Sequence, residues 1–319
     1  MTPTSLGSMT VLRRVLPRLA GALGVLWAAA TVTFFAVRLI PGDPAQALLG
    51  GPGSQASAEA LARVRAENGL DLPLFTQYLA FLGRLLRGDL GQSYSLHEGV
   101  AAVIGEQLGG TLILALCALA AAWALALALA LWSVAAGPLA SRVAAGLEMT
   151  AASLPHFWLG SALILLFSST LGWLPAIGTG DARGLILPTL TLAIPLAGFL
   201  AQLLRESLLA AAEEPFILTA RSRGESEAGI FLRHTLRHAA PPAIGITGWA
   251  FGSLLSGAVV VETIFARPGL GRTLVGATQV RDVPLVVGIV LIAAAAYLLV
   301  SLVSDLTERA LIPTVRGRS

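Results

Sequence analysis

"EEPFILTARSRGESEAGIFLRHTLRH", Glu213 to His238, is the most charged stretch of a chain in which 55% of residues are hydrophobic and 12% charged. The runs flanking it, Leu185 to Leu204 and Ala243 to Ile264, are each apolar over the roughly 20 helical residues that a bilayer crossing requires. A charged segment held between two such runs is the exposed loop of a membrane protein, and its own pattern is helical. "PFILTARSR" predicts a short helix, and Gly224 breaks it. "ESEAGIFLRHTLRH" then starts a second helix, with Glu225 and Glu227 early and Arg233, Arg237 and two histidines late, the order that the helix dipole favours. Pro241 and Pro242 are expected to end it. A charge run of this kind is either a solvated face or a docking surface, and the rest of the chain decides between them.

Comparable apolar runs occupy Leu19 to Val37, Leu112 to Val134, Met149 to Leu171 and Pro284 to Val303, which makes about six spans and an all-α, polytopic membrane protein. A mean hydropathy of +0.79 excludes an ordinary soluble domain. The first run follows Arg13, Arg14 and Arg18 like the start of a secretory signal, with Ala28 to Ala30 resembling a cleavage site. It continues through "TVTFFAV", too long for a signal core, and predicts an uncleaved anchor. With Arg142, Arg205, Arg221, Arg223, Arg233, Arg237, Arg309, Arg316 and Arg318, those three arginines place about 12 of the chain's 21 on one side of the membrane. The positive-inside rule makes that side, and both termini, cytoplasmic.

The opposite side receives residues 41–108, within which "AEALARVRAENGL" predicts a helix stopped by Gly69 and "PLFTQYLAFLGRLLRG" another beginning near Pro73, a small folded cap. Short loops, Gly178 to Arg183 and Arg267 to Arg281, join it there. The expected organisation is therefore an N-terminal segment and first span (1–40), the cap (41–108), a membrane core (109–308) containing the charged segment (209–242), and a tail (309–319).

Composition removes several function classes. Every basic residue among the 21 is Arg, so the Lys of a P-loop is absent and any ATP and Mg²⁺ must be bound by another chain. Cys117 is the single cysteine, which excludes an intrachain disulfide and a CxxC site. The net charge of +3 is carried by arginines scattered between apolar runs, which argues for topology rather than nucleic acid. His234 and His238 share a helix face at a zinc-compatible spacing, without a third ligand nearby or the Glu of HExxH, so no metal or other cofactor is expected in this chain. His97 in the cap and His156 at the start of the third span are isolated histidines, each either a contact for a metal-chelate substrate or, as lone histidines usually are, a satisfied structural group. No nucleophile triad or pair of carboxylates within the spans suggests catalysis.

Within the core, Pro188 and Pro195 each delete a helical hydrogen bond from the fourth span, as a packing kink or as a bend lining a pathway. Gly248, Gly252 and Ser256 form a small-residue strip on the fifth span, suited to close helix packing or a subunit contact. Glu262 lies at the far end of that span. An acid at the bilayer centre costs about 2.5–3.5 kcal/mol, but near the interface, with Arg267 following, Glu262 is expected to anchor the loop as an ion pair or cap.

"LTARSRG", with Gly224 four residues after Ala220, resembles the "EAA" loop of bacterial ABC importer permeases. "LRHTLRHAAPP" is similar to the corresponding wording of their dipeptide and oligopeptide branch. The sequence departs from the general family ending Ile-x-Leu-Pro: His234 stands at the Ile position, Leu236 matches, and Arg237 replaces Pro. "PGDP" (Pro41 to Pro44), "GLDLPLFTQYLAFLGRLLRGDLGQS" (Gly69 to Ser93), "LPHFWLG" (Leu154 to Gly160), "LGWLPAIG" (Leu171 to Gly178) and "VVETIFARPGLGRTLVGATQVRDVPLVVG" (Val260 to Gly288) extend the likeness to the first permease of dipeptide, oligopeptide and nickel importers over nearly the whole chain.

The resemblance implies a type I ABC importer permease fold and a coupling helix around Phe216 to Arg223 that seats in a cytoplasmic ATPase. Pro215, Phe216, Thr219, Ala220, Arg221, Arg223 and Gly224 are then its coupling residues. It also implies a second, related permease, two ATPase subunits, an extracytoplasmic binding protein, and a cargo of dipeptides or oligopeptides. Nickel, another metal chelate or a glutathione-like molecule is the alternative cargo. A gradient-driven secondary transporter would need ionisable residues near the midplane or broken helices in symmetric halves, and the apolar runs are nearly free of charge.

Overall fold

The computed structural model describes residues 5–50, 55–177 and 181–311. Gly178, Arg316 and Arg318, which entered the sequence reading, lie outside the described residues. Fourteen α-helices and two π-helical stretches make up the described chain: α1 (Ser5–Leu39), α2 (Pro44–Leu48), α3 (Ala58–Glu67), α4 (Leu74–Leu85), α5 (Val100–Ala135), α6 (Pro138–Ser153), α7 (His156–Leu163, continued as π-helix Ile164–Thr170), α8 (Arg183–Ala212), α9 (Pro215–Ser222), α10 (Glu227–Ile230, continued as π-helix Phe231–Thr235), α11 (Leu236–Gly245), α12 (Thr247–Ile264), α13 (Leu270–Gln279) and α14 (Val283–Leu311). Among the described residues the only β-type pairing is an isolated bridge between Gln92 and Gly99. The chain divides into two compact units, Met1–Leu108 with Thr273–Leu298, and Gly109–Arg272 with Leu299–Ser319.

Among the described residues five helices are long and apolar enough to span a membrane, in α1, α5, α8, α12 and α14, and a bent pair brings the number up to six. That pair corrects the expected third span. The apolar run from Met149 to Leu171 is not one helix: α6 ends at Ser153, and the chain resumes as α7 and its π-helical extension at an angle of 102°. Hydropathy does not register the cause. Pro155 pushes its predecessor out of the helical region, and Leu154 is accordingly extended at ψ 122°.

In the first unit, α4 turns the aromatic face Tyr78 and Phe81 onto α1. The Phe34 ring stacks on Phe81 with centroids 5.2 Å apart, and the hydroxyls of Thr31 and Tyr78 share a hydrogen bond of 2.8 Å. α3 stops just before Gly69, which takes φ +60°, and α4 follows Pro73. Asp43 caps α2 through the Ala45 N–H and accepts from Arg65 Nη2 at 2.6 Å. Asp282 is fully buried. It accepts from Ser93 Oγ (2.6 Å), Ser95 N–H (2.9 Å) and Ser95 Oγ (2.8 Å), and its other oxygen caps α14 at the Leu285 N–H, tying the loop before α5 to the start of α14. Arg281 donates to the Pro41 carbonyl and lies against Gly42, where a Cβ would meet its guanidinium at 2.7 Å. Burial raises the Tyr94 phenol above its ordinary range, and the neighbouring Arg38 guanidinium opposes that shift.

In the second unit α8 is the central helix. It runs unbroken through Pro188 and Pro195, both buried, because proline's fixed φ is helical and close packing holds the turns that lose a hydrogen bond. α6 meets α8 backbone to backbone at Gly198, where a Cβ would lie 2.6 Å from both the Glu148 carbonyl oxygen and the Ala152 nitrogen. The small-residue strip on α12 is used in part for packing within this chain. Gly248 does make a close approach, 2.8 Å from its missing Cβ to the Ser301 Cα of α14, whereas Gly252 is half-buried and Ser256 is exposed. The second tight position is Gly257, where a Cβ would sit 2.7 Å from Leu192.

Candidate functional site

The segment between α8 and α12 is built as two helices on a glycine elbow. α9 has Pro215 at its first position and turns Ile217 and Ala220 inward onto Ile230, with Phe216 packed beside them. Its other side, Pro215, Leu218, Thr219, Arg221, Ser222 and Arg223, is exposed. The helix ends in a Schellman motif: the Gly224 N–H donates to the Arg221 carbonyl (3.0 Å) and the Glu225 N–H to the Ala220 carbonyl (3.3 Å), with Gly224 at φ +79°. The Ala220-to-Gly224 spacing thus has a physical basis. Ala220 is a small residue on the buried face whose carbonyl closes the motif, and Gly224 takes the left-handed conformation that the motif requires.

The structure therefore joins the seven residues singled out in the sequence in one helix and its cap, on different faces: Phe216 and Ala220 hold the helix down, while Pro215, Thr219, Arg221, Arg223 and Gly224 face outward. Sequence reading missed Leu218, 66% exposed in the middle of that outward face. An apolar residue one turn from Arg221 and Ser222 on an otherwise polar face was the available signal.

Behind α9 the packing against α11 is direct. The Phe216 ring stacks on His238 of α11 at 4.3 Å, His238 Nδ1 donates to the His234 carbonyl (2.8 Å), and His234 Nε2 meets Glu225 Oε2 at 3.2 Å. The two histidines that shared a zinc-like spacing are engaged in holding the elbow. α11 packs on the end of α8 through a cluster that includes Leu204, Leu208, Ala211 and Ala239. Pro241 and Pro242 do not end α11, contrary to expectation. Its backbone stays helical to Gly245, since proline's φ suits a helix even where its N–H is missing, and a single residue, Ile246, also in the helical region, links it to α12.

Two buried carboxylates fix the helices that this segment joins. Glu148 of α6, 1% exposed, accepts from Arg205 Nε of α8 at 2.9 and 3.2 Å. Neither had been singled out as a partner, although a lone acid in the small-residue stretch "AAGLEMTAAS" was a visible anomaly.

Glu262, fully buried at the end of α12, is a loop cap, with the Arg267 charge adding an attraction. Its Oε1 accepts from Thr111 Oγ1 (2.6 Å) and its Oε2 from the N–H groups of Gly271 (2.7 Å) and Arg272 (3.2 Å). Thr111 in turn accepts from the Leu270 N–H, so its own proton goes to the carboxylate. All three partners donate, leaving no acceptor for an amide NH₂. Glu262→Gln is therefore expected to destabilise the chain by about 1–3 kcal/mol, read as a lower thermal midpoint in detergent. An unchanged midpoint would refute the cap.

The chain belongs to the family described as binding-protein-dependent transport system inner membrane component, which matches residues 115–317, and the family's N-terminal component matches residues 11–115. It is the permease subunit of an ABC importer, a multi-pass membrane protein and not an enzyme. It is 37% identical over 309 residues to the glutathione transport system permease protein GsiC of Salmonella choleraesuis strain SC-B67, covering 96% of this chain and 99% of the relative. Against the GsiC of Escherichia coli strain K12 it is 35% identical over 314 residues, covering 96% and 99%. Among solved structures it shares the fold of an amino acid ABC transporter (TM-score 0.53, 20% identity, 66% of this chain and 94% of that one). It also shares the fold of the inward-facing MetNI methionine ABC transporter (TM-score 0.53, 17% identity, 66% and 97%).

Proposed function

We propose that this permease pairs with a second, related permease to import short peptides, glutathione-like tripeptides included, that an extracytoplasmic binding protein delivers. Two separate ATPase chains bind the ATP and Mg²⁺. α9 is the coupling helix, on the cytoplasmic side with both termini. The observation that carries this reading is the outward face of α9, with Leu218 and Arg221 presented on a helix locked from behind by Ile217, Ala220 and a glycine cap. A helix fixed in that way moves as a body. When the ATPases close on ATP, displacement of α9 passes through Phe216 and His238 to α11, which packs on α8 and runs through one residue into α12. The spans then exchange an inward-facing for an outward-facing packing at the docked carrier.

The relatives named for glutathione transport support a peptide-like cargo. The test is uptake of labelled glutathione and of a dipeptide into proteoliposomes holding the whole assembly. Uptake that needs both the binding protein and ATP is expected, with nickel ions a poor competitor. Uptake that persists without the ATPase chains and collapses with an ionophore would instead mark a gradient-driven carrier.

A further inference from the structure

We infer that a cavity of about 200 Å³ between α7, α8 and α12 is a contact site for the cargo during its passage, with His156, Trp249 and Ser253 as its polar contacts. The inference rests on the peptide-import reading above and assigns residues to it.

The cavity's walls are largely apolar, with Leu192, Leu196 and Leu254 among them, as the core of this bundle is elsewhere. Its polar groups stand apart from that background. The His156 imidazole and the Ser253 hydroxyl are half-buried and the Trp249 ring is 49% exposed, and none of the three has a side-chain hydrogen bond to another described residue. Other helical hydroxyls in this chain, those of Thr191, Thr263 and Thr278 among them, fold back on a carbonyl of the preceding turn, although Ser133 and Thr189 do not. Pro195, in the same wall, supplies no N–H to the Thr191 carbonyl, which loosens the polar inventory further. Polar groups that open into this space without a protein partner are available to a ligand carrying complementary groups.

The dimensions and chemistry select the ligand class. At a liquid share of about 30 Å³ per water, the space holds roughly six waters or one residue-sized group. One wall is an aromatic pair, Phe199 and Trp249, with centroids 5.0 Å apart and planes at 48°, a surface on which amide planes and apolar side chains pack. One imidazole with no carboxylate or thiol in the lining offers too few ligands for a bare divalent ion. An imidazole, an indole N–H and a hydroxyl together suit the carbonyls, amides and terminal carboxylate of a peptide. Close packing also places the imidazole deliberately: Gly257 has no Cβ, and one built there would lie 3.4 Å from His156 Nε2 and 2.7 Å from Leu192.

The test uses the complete transporter in proteoliposomes, with labelled glutathione and Ala-Phe as probes. Trp249→Leu and Ser253→Ala are expected to keep binding-protein-stimulated ATP hydrolysis within about twofold. They are expected to lower uptake per ATP by roughly tenfold and to change the preference between the two probes, as loss of a built hydrogen-bonding contact does. In a Cys117→Ala background, Ser253→Cys should be alkylated by a maleimide more slowly when loaded binding protein and ATP are supplied. Unchanged preference and unprotected labelling, with normal uptake by the unaltered transporter, would overturn the cavity assignment and leave the cargo reading intact. Failure of the unaltered transporter to take up either probe would overturn the cargo reading and the assignment with it.

Discussion

Glu148→Ala is expected to cost the chain about 3–5 kcal/mol, the loss that follows when one partner of a buried ion pair is removed. The Arg205 side chain is only 16% exposed and lies against a carboxylate at 1%. Without that carboxylate, a guanidinium that cannot shed its proton would face an apolar crossing of helices. Local relaxation is restricted, because Gly198 brings α6 and α8 into backbone contact at the same crossing. Arg205→Leu should destabilise similarly by stranding the acid. Glu148→Leu with Arg205→Leu should recover most of the loss, since well-packed apolar replacements of buried pairs are often neutral or stabilising. Thermal unfolding of the four proteins in detergent forms a double-mutant cycle that isolates the pair. Single variants that unfold within about 1 kcal/mol of the unaltered protein would contradict the burial argument. Uptake by the stable double variant then shows whether the tie between α6 and α8 also serves transport or only holds the fold.

The same crossing shows where sequence reading succeeds and where it fails. Hydropathy located α1, α5, α8, α12 and α14 because bilayer thickness imposes a length on apolar runs. It overlooked the 102° bend before α7, since Leu154 and Pro155 alter backbone dihedrals without altering apolarity. The elbow around Gly224 was legible because a Schellman cap is local, closed within six residues by bonds from 224 and 225 to 221 and 220. The pairing of Glu148 with Arg205 spans 57 positions and that of Ser93 with Asp282 spans 189, and no local rule assigns such partners. Gly257 was passed over in favour of Ser256 because a four-residue spacing describes a helix face only approximately at 3.6 residues per turn. The cavity residues drew little notice for a related reason: His156, Trp249 and Ser253 converge only after α7 has turned at Pro155.

Gly224→Pro is expected to abolish the dependence of uptake on ATP while the chain still inserts into the membrane. At φ +79° the position excludes proline, whose φ is fixed near −65°, and the substitution also deletes the N–H that closes the cap on the Arg221 carbonyl. Gly224→Ala keeps the N–H and costs about 1–2 kcal/mol of left-handed strain, so it should impair coupling without eliminating it. Both changes act on the angle between α9 and α10. A coupling free energy of about 1–3 kcal/mol, the usual range between two sites, corresponds to a 5- to 150-fold loss of ATP-driven uptake. Arg221→Glu and Leu218→Asp test the proposed docking face without bending the backbone: Leu218 is exposed, so folding of that variant should be preserved while the proposed attachment to the ATPase is weakened. The expected pattern is continued ATP hydrolysis by the partner chains, unaltered thermal unfolding of the Leu218 variant, and uptake reduced in all four. Uptake at the unaltered level in Gly224→Pro and Arg221→Glu would mean that motion enters the spans by another route. The exposed leucine on α9 would then need a partner other than the ATPase.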